Sequence, residues 1–105
     1  MARKPEREFQ DAVVEYARLQ GWRVAHFTPA FARKGKFLTH GAYDSAGFPD
    51  LCLVRDRIVF MECKRKGVLK LREEQIVWFE TLRHAGIECY VVNPGKWALV
   101  EQVLR

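Results

Sequence analysis

Two apolar runs set three residues apart constrain this chain more than any other feature. Residues 50–54 and 58–64 each read as a strand, and the polar Arg55-Asp56-Arg57 between them leaves room only for a tight turn. The two strands must run antiparallel, and their register can be counted. A three-residue turn puts Val54 opposite Ile58 and, counting back, Asp50 opposite Glu62. A turn one residue shorter or longer moves Asp50 by a single place.

The rest of the chain supplies elements to cover that hairpin. Residues 5–20 carry Phe9, Val13, Tyr16, Ala17 and Gln20 on or near one helical stripe, and Gly21 stops the helix. Residues 22–27 read as a first strand. A second helix over residues 72–85 has Gln75, Trp78, Phe79 and Leu82 on its inner face and ends at Gly86. Residues 87–92 form another buried strand, and the connection through the second helix is long enough for a parallel crossover. Asn93-Pro94 then places an N-cap before a proline and opens a short helix towards Leu104. The order helix, strand, strand, strand, helix, strand, helix predicts an α/β fold, a mixed β-sheet flanked by helices. With no repeat and no linker, residues 1–105 read as one domain.

Composition narrows the partners. Eighteen Lys+Arg against thirteen Asp+Glu give a net charge of +5, a balance suited to an anionic partner. No apolar run approaches the ~20 residues of a membrane span, and the N-terminal residues lack the apolar core of a signal peptide, so a soluble, cytoplasmic protein is expected. Cys52, Cys63 and Cys89 are odd in number, form no CxxC and sit in apolar runs, which predicts reduced structural thiols. His26, His40 and His84 are too dispersed for a zinc site. Residues 28–48 have no clean period. They interleave Arg33, Lys34 and Lys36 with Phe31, Phe37 and Tyr43, and read equally as a surface loop or as a flap whose cations meet phosphates.

The chemistry concentrates in Gly47-Phe48-Pro49-Asp50 and Met61-Glu62-Cys63-Lys64. Alternate strand residues share a face, so Glu62 and Lys64 project together, and the hairpin register adds Asp50. Glu-x-Lys alone reads as a salt bridge at a strand end. With Pro-Asp opposite it, two carboxylates and the Cys63 carbonyl make a hard, oxygen-only site suited to Mg2+, with Mn2+ able to substitute. Lys64 is then placed to hold an attacking water and to stabilise a pentacovalent transition state.

Pro49-Asp50 with Glu62-Cys63-Lys64 resembles the PD-(D/E)xK nuclease signature, and the surrounding residues resemble its VRR-NUC branch, the virus-type replication-repair nucleases. The resemblance covers nearly the whole chain: Glu6 and Gln10, Gly21-Trp22-Arg23-Val24, Gly47-Phe48-Pro49-Asp50-Leu51, Glu62-Cys63-Lys64 and Glu74-Gln75. It implies a restriction-endonuclease-like fold and Mg2+-dependent hydrolysis of DNA phosphodiester bonds, as a structure-selective endonuclease similar to Holliday-junction resolvases in phage or bacterial replication or repair. It also implies a homodimer, for which Trp97, Phe31 and Phe37 offer apolar contacts. Asp50 and Glu62 would be metal ligands, Cys63 would lend its carbonyl and not its thiol, and Lys64 would be the catalytic lysine. Glu6 matches a helix-borne glutamate that reaches the metal directly or through water, with Glu8 as its competitor. Gln75 would orient Lys64 or a phosphate. Arg72 stands where many relatives have a capping Ser or Thr, which puts the cap of the second helix in doubt.

Residues 64–72 hold Lys64, Arg65, Lys66, Lys70 and Arg72 and no acid, reading as a phosphate track beside the site or as a solvated face. The rival to the enzyme is a non-catalytic nucleic-acid-binding protein with the same fold. It gains nothing from two carboxylates facing a phosphate.

Overall fold

The computed structural model describes residues 5–27, 30–31, 37–38 and 43–105, with backbone alone for 30–31 and 37–38. Arg33, Lys34 and Lys36, and the side chains of Phe31 and Phe37, lie outside the described residues.

The first helix, α1 (Pro5–Leu19), starts with proline at its first position and carries Glu6 and Glu8 in its first turn, where the helix dipole favours acids. It buries Phe9, Gln10, Val13 and Ala17 along one stripe. Its end is closed by Gly21 at φ 89° and by the Trp22 N–H donating to the Ala17 carbonyl at 3.0 Å. Four strands follow in the main sheet: β1 (Arg23–His26), β4 (Leu51–Val54), β5 (Ile58–Cys63) and β6 (Glu88–Val92). Their spatial order is β1-β4-β5-β6, with β1/β4 and β4/β5 antiparallel and β5/β6 parallel. Mixed α/β with a mixed sheet is the architecture expected from turn length and crossover length. Within the aperiodic stretch, β2 (Ala30–Phe31) and β3 (Phe37–Leu38) form a separate antiparallel pair that the sequence pattern did not indicate.

The sheet alternates as its pattern requires. Leu51, Leu53, Val59, Met61, Cys63 and Val92 face one side, packing into a core with α1 and with α3 (Trp97–Leu104). Phe60 and Glu62 face the other side, where α2 (Glu73–His84) lies. There the buried Cys89 thiol approaches the Phe79 carbonyl at 3.7 Å. All three cysteines are free; Cys63 and Cys89 are buried and Cys52 is half-buried. The C-terminal helix opens later than Asn93-Pro94 signals. Asn93 Oδ1 accepts the Gly95 N–H at 3.0 Å, capping a single 3-10 turn (Pro94–Lys96) before α3 begins. Trp97 is half-buried and packs edge-on against Phe9 (6.3 Å) and Tyr16 (5.6 Å) at the margin of this core.

The hairpin turn is more than a polar connector. The Arg55 guanidinium lies 4.6 Å from the Trp22 ring centroid and donates to the Gln20 and Arg105 carbonyls, while Arg57 pairs with Glu88 at 2.6 Å and donates to the Val103 carbonyl. Trp22 itself donates to the Leu104 carbonyl at 2.8 Å. The end of α3 is thus held by cations where its carbonyls lack helical partners. This clamp sits at the far end of the hairpin from Asp50 and Glu62. Among the described residues, no helix is long and apolar enough to cross a membrane.

Candidate active site

The register counted from turn length is the one observed: Val54 faces Ile58 and Leu51 faces Met61, so the next step back sets Asp50 against Glu62. The ladder continues past the strand ends. Phe27 N–H donates to the Asp50 carbonyl at 2.9 Å, and Lys64 N–H donates to the Val92 carbonyl at 2.8 Å. Each acid also accepts from the other strand's backbone: Asp50 N–H reaches Glu62 Oε1 at 3.2 Å, and Cys63 N–H reaches Asp50 Oδ2 at 3.1 Å. These bonds fix both carboxylates at one end of the sheet. Lys64 Nζ lies 3.6 Å from Glu62 Oε2.

Gln75 ties the cluster to α2. Its Nε2 donates to Glu62 Oε2 at 2.8 Å, and its Oε1 accepts from Lys64 Nζ at 3.2 Å and from the Arg72 N–H at 2.8 Å. The last bond resolves the doubt about the helix start. The arginine at the cap has no acceptor, and Gln75 at the third helical position closes the turn in its place, the Gln half of a capping box. Buried Gln75 therefore performs three tasks that a solvated helix residue would not.

The approach to Asp50 is set by Gly47. At φ 81°, a Cβ there would lie 2.5–2.7 Å from the backbone of Glu74 and Gln75, so the chain crosses the start of α2 in direct backbone contact. Phe48 follows and stands edge-on to Phe27 (5.4 Å), Phe60 (5.3 Å) and Trp78 (4.9 Å). Trp78 Nε1 in turn donates to the Asp44 carbonyl at 2.8 Å. This aromatic brace was missed by periodicity because its members come from four separate segments.

Burial makes the two acids expensive to ionise together. Desolvation, then repulsion from Asp50, pushes Glu62 up to about 8 despite the opposing pull of Lys64. Desolvation also raises Asp50, with a further upward push from Glu6. The pair titrates as a unit that retains a proton near neutrality, the condition a bound cation relieves. The charge of Glu6 reaches both Asp50 and Cys63, so of the two acids in the first turn of α1 it is the one placed towards the cluster; its side chain is exposed.

Among the described residues no group of three or more His, Cys, Asp and Glu side chains is gathered tightly enough to hold a metal. The donor chemistry still fits Mg2+, which is commonly held by one or two carboxylates and otherwise by water and substrate phosphate. Cys63 points its thiol into the α1/α3 side of the sheet, where burial pushes its pKa up, and so offers the acids' face only backbone. Cys63→Ala should lose only about 1 kcal/mol of stability, checked by urea unfolding.

Arg65, Lys66, Lys70 and Arg72 are exposed. The first two belong to a turn with Gly67 at φ 80°, closed by Val68 N–H to the Arg65 carbonyl at 3.1 Å and anchored by Asn93 Nδ2 to the Val68 carbonyl at 2.9 Å. The chain matches no family model, no curated protein and no solved structure.

Proposed function

We propose that this chain is a Mg2+-dependent DNA nuclease of the restriction-endonuclease-like fold, of the VRR-NUC kind, cutting branched or otherwise structured DNA. The observation that carries the reading is the gathering of Asp50, Glu62, Lys64 and Gln75 at one sheet end, with a buried and a half-buried carboxylate that a cation would relieve. Asp50, Glu62 and the Cys63 carbonyl would hold the Mg2+, with Glu6 contributing directly or through water. Bound there, the ion would lower the pKa of a water and neutralise phosphate charge.

The chain's own residues supply the rest. Gln75 holds Lys64 by its Oε1 and keeps the ammonium beside Glu62. From there Lys64 orients the attacking water and offsets the charge that develops on the phosphoryl oxygens. Arg65, Lys66, Lys70 and Arg72 border the site and would track the DNA backbone, with Arg33, Lys34 and Lys36 of the preceding stretch as further phosphate contacts. Neutralising Arg65 and Lys66 together should weaken binding to every duplex sequence and reduce the salt slope by about 0.9 per lost contact. An unchanged slope would return these cations to the solvated face.

A homodimer accompanies the reading, since one cluster cuts one strand and two-fold pairing presents two cuts across a branch. Sedimentation at micromolar concentration, alone and with DNA, should show twice the 12.3 kDa chain mass; a fully active monomer on DNA would contradict it. The nuclease reading itself is tested by incubating labelled four-way junction, flap, splayed arm, duplex and single strand with Mg2+, Mn2+ or EDTA. Cleavage of the branched substrates with either metal, and none in EDTA, is the expected pattern.

A further inference from the structure

Beside the acids lies an aromatic side chain that neither the catalytic cluster nor the core requires. Phe27 follows β1, and its N–H bond to the Asp50 carbonyl makes the two residues cross-strand neighbours. Paired residues in an antiparallel ladder put their side chains on the same face, with Cβ atoms about 4.5–5.5 Å apart. The Phe27 ring therefore stands on the same face as the carboxylates and next to one of them. Half of it, 50%, is exposed. The other half is pinned edge-on by Phe48 at 85°, and Phe48 is wedged between Phe60 and Trp78. The result is a flat apolar surface of fixed orientation, which costs little entropy to use.

We propose that Phe27 is a stacking shelf for one unpaired nucleobase next to the phosphate held at Asp50 and Glu62, a proposal that rests on the nuclease reading. A nucleotide flanking that phosphate brings its base within reach of the ring. In continuous duplex both faces of each base are already covered by neighbours, whereas a base at a fork, flap or junction has a free π-face to lay on an aromatic ring. The exposed cations Arg65 and Lys66 at the neighbouring turn match the backbone that such a base would bring with it. Phe27 thereby gives structure selectivity a residue: it discriminates by the presence of an unpaired base and is indifferent to which base it is. By contrast, fully exposed Tyr43, at φ 61°, has no ring partner among the described residues to orient it.

The test is equilibrium binding of a splayed-arm DNA carrying 2-aminopurine at the first unpaired position, in Ca2+ to hold the substrate uncut, against a matched full duplex. Wild type should quench the probe. Phe27→Leu, which keeps an apolar contact on Phe48, should abolish the quench and weaken splayed-arm binding by roughly five- to a hundredfold, with duplex binding changed less than about twofold. Phe27→Tyr should restore both, which separates stacking from a loss of folding. Equal behaviour of Phe27→Leu and wild type, or equal losses on both DNAs, would overturn the shelf. Cleavage of the same splayed arm by wild type in Mg2+ reports the nuclease reading separately. A protein that cuts but treats Phe27→Leu as wild type loses only the shelf, and one that neither binds nor cuts loses both.

Discussion

Asp50→Asn should give a protein that unfolds at a higher temperature than wild type in EDTA at pH 8 and that has lost at least about a hundredfold of its cleavage rate. The stabilisation follows from the paired acids. Burial and mutual repulsion hold Glu62 up to about 8 against an ordinary 4.5, and Asp50 is raised as well. Below pH 4.5, folded and unfolded chains both carry the Glu62 proton. Between 4.5 and 8 the unfolded chain releases it while the folded chain keeps it, so the metal-free fold loses stability as pH rises through that window. Asp50→Asn retains an oxygen for the Cys63 N–H, removes the repulsion and leaves Glu62 to Lys64 and Gln75. Its melting temperature should exceed wild type by about 5–10 °C at pH 8, roughly 1–2 kcal/mol, and by less at pH 5. Mg2+ should raise the wild-type melting temperature at pH 8 and leave that of Asp50→Asn nearly unmoved. A flat wild-type profile between pH 5 and 8 would mean that the two acids do not burden one another.

The largest loss of stability is expected at Gly47. An added methyl group there meets a left-handed backbone and, at 2.5–2.7 Å, the main chain of Glu74 and Gln75, neither of which a rotamer change can relieve. Gly47→Ala should cost about 3 kcal/mol or more, roughly 15 °C in melting temperature. It should also cut activity below what the folded fraction explains, because the start of α2 carries Gln75. Gly86→Ala is the matched control: it has the same φ of 81° but no atom within 4 Å of the added group, so it carries only the backbone cost, about 1 kcal/mol. Equal destabilisation at the two glycines would show that the contact with α2 adds nothing.

How much of this was legible depends on how local its cause is. The Asp50–Glu62 juxtaposition could be counted because a turn length and a two-residue period determine it, and the parallel placement of β6 followed from the length of the crossover. Arg72 makes no side-chain cap at the start of α2, as its lack of an acceptor implies, and the group that closes the turn is Gln75, three residues on at the third helical position. The Phe48 brace and the Arg55–Arg57 clamp could not be read at all. Their partners arrive from elements 12 to 50 residues away, as with Phe48 to Phe60 and Arg55 to the Arg105 carbonyl, and no local pattern encodes such meetings. The phosphate contacts expected at Arg33, Lys34 and Lys36 lie outside the described residues, and Arg65, Lys66, Lys70 and Arg72 are exposed.

The most direct measurement is single-turnover cleavage of a labelled branched DNA by wild type and by Glu62→Ala, purified identically and assayed side by side in Mg2+, Mn2+ and EDTA. Wild type should cut with either metal and fall silent in EDTA, while Glu62→Ala binds the same DNA but cuts at least about a hundredfold more slowly. Equal cutting by the two proteins, or cutting by wild type that persists in EDTA, would contradict the assignment of this cluster as a metal-dependent nuclease site.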